Sequence, residues 1–183
     1  MPTMITFDDM SRYTQKSFEE STILMKEAHE NIEQKNIFLS YSSKDSQYLP
    51  YVINILNNHG GKVYVDKGDD RLPNPPSVKT AQVLKDSIKK CNRMVVFVTT
   101  NSKDSKWVPW ELGLGDGSKT NSDIALFPSA DKSYETTWLS QEYLGLYRRI
   151  VWGKLEGYDK EVWMVYNHND NTATELSKWL NKY

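Results

Sequence analysis

The first 35 residues carry a hydrophobic pattern of their own. Over residues 7–33 the apolar side chains recur at intervals of three and four, the spacing that places them along one face of an α-helix. The members of this apolar stripe are Met10, Tyr13, Phe18, Leu24, Met25, Ala28 and Ile32. Thr6 and Asp9 stand three apart, as in a capping box, and neither glycine nor proline interrupts the stretch. The pattern predicts one amphipathic helix over residues 7–33, within an N-terminal helical extension of residues 1–35.

After Asn36, short apolar runs alternate with stretches of helical spacing. The runs predict strands at residues 37–39, 62–66, 94–99, 123–127, 149–152 and 162–166. The other stretches predict helices at residues 46–58, 77–91, 105–113, 138–147 and 172–182. The run at residues 94–99 is apolar without alternation, which is typical of a central parallel strand covered on both faces. Residues 68–76 hold three prolines and a glycine and predict a loop.

Strands that alternate with helices build a parallel sheet with helices on its faces. We therefore predict an α/β, flavodoxin-like domain over residues 36–183, with a five- to six-stranded, mainly parallel sheet flanked by helices. Ligands of such sheets bind beyond the carboxyl ends of the strands. The segments that follow the predicted strands are 41–45, 66–76, 99–111 and 127–138, and we expect the functional site among them.

The composition narrows the range of functions. The 183 residues include 23 Lys and Arg against 24 Asp and Glu, so the net charge is −1 and nucleic acid is not an expected partner. The single cysteine, Cys91, excludes an internal disulfide, and three scattered histidines argue against a zinc site. The apolar runs are far shorter than the about 20 residues of a membrane span, so we expect no membrane partner. The N-terminal residues around Asp8 and Asp9 do not resemble a signal peptide, so we expect the protein to be located in the cytoplasm.

Trp107 and Glu111 offer the candidate chemistry. They stand four apart in a predicted helix, and therefore on one side of it, beyond the carboxyl end of the most buried strand. An aromatic plate beside a carboxylate suits cleavage of a cationic N-glycoside, because the indole stacks on the flat base and the carboxylate stabilises the oxocarbenium-like sugar. On spacing alone a structural alternative stays open and is the commoner case. In that alternative the negative charge of Glu111 stabilises the N-terminus of the helix, and Trp107 is a core residue.

Three segments, in order along the chain, carry recognisable motifs. Residues 36–45, Asn-Ile-Phe-Leu-Ser-Tyr-Ser-Ser-Lys-Asp, form a strand that ends in Ser-Tyr before a small polar run with Asp. A second strand ends at Asp66 and is followed by the Gly/Pro loop, and Trp107 and Glu111 then make a W-x-x-x-E motif. Together these segments resemble the first box, the BB loop and the catalytic helix of TIR (Toll/interleukin-1 receptor) domains. The resemblance covers about residues 36–150.

The resemblance to catalytic TIR domains implies cleavage of NAD+ at the bond between nicotinamide and ribose, giving ADP-ribose or a cyclic ADP-ribose isomer. NAD+ is then the substrate, and neither a further cofactor nor a metal is implied. By its place in the motif, Glu111 is the catalytic glutamate. The residues implied to bind the substrate are Tyr41, Ser42, Asp66, Arg71, Leu72, Trp107 and Trp138. Arg71 and Leu72 belong to the segment that resembles the BB loop.

The chain also resembles the stand-alone bacterial TIR proteins of anti-phage defence, including the Thoeris type. That resemblance implies a nucleotide signal made for a separate downstream effector, and self-association through TIR–TIR contacts. One alternative is a non-enzymatic module that binds other TIR domains. Another is a flavodoxin-like receiver of phosphate or nucleotides, which would need an acidic pocket where Ser40–Ser43 stand. The N-terminal helix either takes part in assembly or covers an apolar flank of its own domain.

Overall fold

The structure of the protein is a computed structural model that describes residues 3–13, 18–66, 77–133, 135 and 142–181. The strands are β1 (Ile5–Thr6), β2 (Ile37–Ser40), β3 (Val63–Tyr64), β4 (Arg93–Val98), β5 (Ile124–Ala130), β6 (Arg148–Lys154), β7 (Glu161–Asn167) and β8 (Thr172–Glu175). The α-helices are α1 (Phe7–Tyr13), α2 (Phe18–His29), α3 (Leu49–Asn58), α4 (Val78–Lys90), α5 (Trp107–Asp116) and α6 (Leu176–Leu180).

The strands form one sheet in the order β3-β2-β4-β5-β6-β7-β8, with β1 paired to the end of β5. The pairs from β3 to β6 are parallel, whereas β7 and β8 return antiparallel. All six strands predicted from the apolar runs are present, and the mainly parallel α/β sheet is confirmed. Among the described residues the sheet has eight strands rather than five or six, because β1 and β8 are short and lack the apolar runs that mark the others.

The centre of the sheet is covered on both faces. In β4, Val95 and Phe97 enter one hydrophobic cluster, and Met94 and Val96 enter a second on the opposite face. Residues of α1, α2, α3 and α6 cover the first face, and residues of α4 and α5 cover the second. Since β4 lies between β2 and β5, the prediction of a central parallel strand at residues 94–99 is confirmed.

The N-terminal segment joins the sheet before it becomes helical. Ile5 and Thr6 pair in parallel with the end of β5, and the Thr3 N–H donates to the carbonyl oxygen of Trp152 (2.9 Å). Thr6 and Asp9 form the predicted capping box. The Asp9 N–H donates to Thr6 Oγ1 (3.1 Å), and the Thr6 N–H donates to the Asp9 carboxylate (3.3 Å).

Helical structure of the N-terminal segment ends at His29 rather than near residue 33. Asn31 has a left-handed backbone (φ 52°), a conformation that does not continue an α-helix, and a 3₁₀ turn follows at Ile32–Gln34. The expected continuity of one helix rests on residues 14–17, which lie outside the described residues.

The apolar stripe of this segment packs on the protein's own core clusters. Its buried or half-buried members are Met10, Leu24, Met25, Ala28 and Ile32. This packing is the one expected of a helix that covers an apolar flank of its own domain. The division into an extension and a following domain stays a prediction.

The prediction of a closing helix at residues 172–182 is wrong for its first four residues. Thr172–Glu175 instead form β8, which makes an antiparallel pair with β7, and α6 begins only after it. Thr172 and Glu175 stand three apart, the spacing of a capping box, but none forms, because the Thr172 hydroxyl donates to the carboxylate of Asp170 (2.6 Å).

The other predicted helices fall into two groups. Those at residues 46–58, 77–91 and 105–113 are confirmed as α3, α4 and α5, with a 3₁₀ turn before α3. Of the helix predicted at residues 138–147, the described part at Glu142–Leu146 is a 3₁₀ turn. The predicted loop at residues 68–76 lies outside the described residues. Within the described ranges, no helix has the length and apolar character needed to cross a membrane.

Candidate active site

Three parallel strands bring polar residues to one edge of the sheet. β2 ends at Ser40 and continues into Tyr41 and Ser42, β3 is followed by Asp66, and β4 is followed by Thr99. Because β2 lies between β3 and β4, the carboxyl ends of all three meet at this edge. Each of the five residues is at most 4% exposed. Buried polar side chains need partners, and here the hydroxyl of Ser40 donates to Glu111 and that of Thr99 donates to Asp45.

Helix α5 carries a carboxylate to the same edge. Just before the helix, the hydroxyl oxygen of Ser105 accepts a hydrogen bond from the N–H of Val108 (3.2 Å). Val108 and Leu112 anchor the helix in the second core cluster, and Glu111 beside them is 1% exposed. The structural alternative of a charge placed for the helix N-terminus does not fit, because Glu111 stands in the second turn and is buried.

Ser40 and Glu111 meet across 71 positions of sequence. The Ser40 hydroxyl donates a hydrogen bond to Oε2 of Glu111, and both residues are buried. A hydrogen bond to a carboxylate is stronger than one between neutral groups, and it offsets part of the penalty for taking the charge out of water. The carboxylate is therefore held at a defined place beside the end of β2.

Tyr41 lies in the field of two acids. Burial raises the pKa of the Tyr41 phenol, and the negative charges of Asp66 and Glu111 raise that pKa further. The phenol therefore stays protonated and neutral, and its O–H remains a donor. Because both acids act on the same phenol, the three side chains belong to one neighbourhood.

Trp107 and Trp110 form an aromatic pair on α5. Their ring centroids are 5.4 Å apart with an interplanar angle of 80°, an edge-to-face contact. Trp107 is half-buried against the second core cluster, and Trp110 is 38% exposed. Trp107 therefore packs on the core while part of its ring stays accessible.

Asp45 joins the two loops that frame the site. Its carboxylate is fully buried and accepts hydrogen bonds from Thr99 Oγ1 (2.7 Å) and Asn101 Nδ2 (2.6 Å). Its own N–H donates to the carbonyl oxygen of Ser42 (2.9 Å). The turn after β2 is thus tied to the loop that leads from β4 into α5.

Comparison with known proteins identifies the family. Residues 37–163, more than half of the chain, match the family model of the TIR domain. The chain belongs to the TIR domain family. Among its relatives is the probable 3' cyclic ADP-D-ribose synthase ThsB' of Bacillus cereus (strain MSX-D12), which is 29% identical over 193 aligned residues. That alignment covers 97% of this chain and 98% of the relative, so it extends beyond the family match on both sides.

The TIR domain brings several predicted site residues to one edge of the sheet. They are Tyr41, Ser42, Asp66, Trp107 and Glu111. The other three, Arg71, Leu72 and Trp138, lie outside the described residues. The role of each residue in binding or catalysis stays a prediction.

Four residues described at the site, Ser40, Asp45, Thr99 and Trp110, are absent from the predicted set. Trp110 had a signal in the sequence, its spacing of three from Trp107. Ser40 and Asp45 belong to the first box, but nothing local pairs them with residues that lie 71 and more than 50 positions away. In the described part of the chain, no group of three or more His, Cys, Asp or Glu residues is arranged to hold a metal ion.

Proposed function

We propose that this TIR protein cleaves NAD+ at the bond between nicotinamide and ribose, with Glu111 as the catalytic residue. The observation that carries the proposal is the buried Glu111 carboxylate, bonded by Ser40 and one helical turn from a half-buried tryptophan. The 29% identity to a probable 3' cyclic ADP-D-ribose synthase supports the same chemistry. The comparisons give no support to the alternative of a non-enzymatic TIR–TIR interaction module.

The geometry suits departure of a cationic base. When the glycosidic bond breaks, its electron pair goes to the pyridine nitrogen, nicotinamide leaves neutral, and positive charge develops on the ribose. The carboxylate of Glu111 stabilises that charge, most strongly where burial removes competing water. Trp107 offers an indole face on which the flat nicotinamide stacks.

The product depends on the nucleophile that then reaches the anomeric carbon. Attack by water, with loss of a proton, gives ADP-ribose. Attack by a group of the same ADP-ribose unit gives a cyclic isomer and consumes no water. The name of the relative supports the 3' cyclic isomer as the product here.

The remaining predicted residues contact the substrate in this proposal. Tyr41 and Ser42 line the nicotinamide side of the site, and Asp66, which follows β3, lies beside them. Arg71 and Leu72 belong to the BB-like loop. Trp138 supplies a further aromatic face.

The decisive experiment compares the wild type with Glu111→Gln, incubated with NAD+ at high protein concentration. The products are separated by chromatography and identified by mass spectrometry. We expect nicotinamide from the wild type only, because glutamine keeps the shape of the side chain and removes its charge. A second product lighter than ADP-ribose by one water marks cyclisation.

A matched control isolates the charge at this position. Glu156→Gln makes the same chemical change at an exposed residue beyond β6, so it is expected to keep wild-type turnover. Circular dichroism and thermal unfolding establish that both variants are folded. Turnover by a folded E111Q protein at the wild-type rate would refute the assignment of Glu111.

The biological setting belongs to the same proposal. The protein acts in anti-phage defence, in the cytoplasm, and makes a nucleotide signal for an effector encoded elsewhere. It associates with itself through TIR–TIR contacts. Light scattering over a dilution series tests the association, and a mass that stays at one chain at all concentrations and in the presence of NAD+ would contradict it.

A further inference from the structure

A polar residue interrupts the apolar filling of the sheet at the end of β2. Phe38 and Leu39, the residues before it, are fully buried apolar side chains, one in each core cluster. Ser40 follows them with no exposed surface, and its hydroxyl donates to the Glu111 carboxylate. A buried hydroxyl in such surroundings requires a partner, and the partner here is the acid on which the proposed reaction depends.

The backbone that carries Ser40 is held by strand β4. Ser40 stands opposite Val96 of β4, and on the other side β2 pairs in parallel with β3 as far as Phe38, two residues before Ser40. A side chain at the end of a central strand has little freedom to move with the helix that it contacts. The hydroxyl is therefore a fixed donor, against which the longer and more flexible Glu111 side chain is placed.

We propose that Ser40 is a positioning residue for the cleavage of NAD+. Its hydroxyl holds one oxygen of the Glu111 carboxylate, fixes the orientation of the carboxylate beside the ribose and stabilises its negative charge. The inference rests on the proposed function, because the position of the Glu111 carboxylate affects turnover only if Glu111 takes part in the cleavage of NAD+. It adds a residue outside the predicted catalytic and substrate-binding set.

The electrostatics of the site favour this role. Asp66 and Glu111 both act on Tyr41, so two acids share one buried region. Like charges in a region of low dielectric constant destabilise one another, and a hydrogen-bond donor aimed at one of them opposes that effect. Ser40 supplies this donor.

The fold contains a matched serine with a structural partner. Ser129, in β5, is as fully buried as Ser40, but its hydroxyl donates to the backbone carbonyl oxygen of Ile5 (2.9 Å). Ser→Ala at either position removes one hydroxyl and one buried hydrogen bond and creates little empty volume. The two variants are therefore comparable in their structural effect and differ in whether Glu111 loses a partner.

The test measures kcat and KM for nicotinamide release from NAD+ in the wild type, Ser40→Ala and Ser129→Ala. We expect kcat to fall about 10- to 100-fold in S40A with KM little changed, because misplacement of a reacting group acts on the transition state more than on substrate binding. S129A is expected to keep both constants near their wild-type values. If S40A matches S129A in kcat, the inference is overturned while the proposed function stands. If the wild type releases no nicotinamide under any condition, the proposed function fails, and the inference fails with it.

A second measurement does not depend on turnover. Urea unfolding is followed for S40A in the wild-type background and in the E111Q background. Because a hydrogen bond to a charged acceptor is stronger than one to a neutral acceptor, S40A is expected to lower the urea midpoint more in the wild type than in E111Q. Equal shifts in the two backgrounds would show that the hydroxyl does not act on the charge of Glu111, and would overturn the inference.

Discussion

Replacing Asp45 with alanine removes the carboxylate that ties the turn after β2 to the loop after β4. In the wild type this fully buried side chain accepts one hydrogen bond from Thr99 Oγ1 (2.7 Å) and one from Asn101 Nδ2 (2.6 Å). The alanine variant has neither bond, and its two former donors lose their acceptor. We expect the variant to be folded but clearly less stable.

The magnitude follows from the number and type of bonds. A hydrogen bond to a charged group contributes about 1.5–3 kcal/mol, so two of them amount to about 3–6 kcal/mol. Removal of a buried charge also relieves its own desolvation, which moves the expected loss toward about 3 kcal/mol. Since domains of this size are typically stable by about 5–15 kcal/mol, D45A remains folded in buffer.

The assay is urea unfolding monitored by tryptophan fluorescence. With a denaturant slope of about 2 kcal/mol per molar, a loss of about 3 kcal/mol lowers the midpoint by about 1.5 M without changing the slope. Asp45→Asn keeps the volume and one acceptor oxygen, so its midpoint is expected between those of D45A and the wild type.

The control is an acid a short distance away on the surface. Asp104 has a 57% exposed side chain and lies 3.9 Å from Lys44 Nζ, and such exposed pairs contribute about 0–1 kcal/mol. Asp104→Ala is therefore expected to unfold near the wild-type midpoint. If D45A and D104A unfold at the same urea concentration, the buried network does not stabilise the fold as argued here.

Three further predictions concern the rest of the described structure. Burial raises the pKa of the Cys91 thiol to about 12, so iodoacetamide at about pH 8 is expected to label the protein in urea and not in buffer, and rapid labelling of the folded chain would contradict this. The buried Arg93 guanidinium pairs with Asp123 and donates to the carbonyl oxygen of Trp179 in α6 (3.0 Å). Because Arg93→Met leaves Asp123 without this partner, we expect it to lower the free energy of unfolding by about 3–5 kcal/mol in urea titrations. A loss below about 1 kcal/mol would refute this. Burial and the hydrogen bond to Asp116 raise the pKa of Tyr147 to about 12, so its contribution to stability is complete below about pH 10 and is lost between about pH 10 and 12. Unfolding measured across that window is expected to depend less on pH in Tyr147→Phe than in the wild type, and an identical dependence would contradict the assignment.

The central strands were predictable because their own residues determine what they are. The apolar run of β4 has no polar face, so it fits only where both faces of a sheet are covered. The short strands at the margins carry no such information. β1 has two residues and depends on a partner strand more than 120 positions away. β8 begins at Thr172 and ends at Glu175, and these two residues have the spacing of a helix capping box. In β8 the hydrogen bond from Thr172 to Asp170 and the pairing with β7 decided against the helix.

In the W-x-x-x-E motif too, some features follow from the local sequence and others only from tertiary contacts. Local spacing sufficed to place Trp107 and Glu111 on one side of one helix, because an α-helix repeats every 3.6 residues. Spacing did not decide whether Glu111 faces water or is buried, since that depends on what α5 packs against. The position of β2 beneath the helix decided it, and with it the contact to Ser40.

The sequence by itself therefore determined the order of the central strands and helices along the chain, the edge of the sheet that bears the candidate site, and the residues that resemble TIR motifs. These features depend on periodicity and on short motifs, which are local properties of a chain. Only the tertiary structure decided that Ser40 donates to Glu111 and that Asp45 joins two loops. Each of these contacts unites residues more than 50 positions apart, and the free energy that holds them comes from burial, which no local segment possesses before the sheet is assembled.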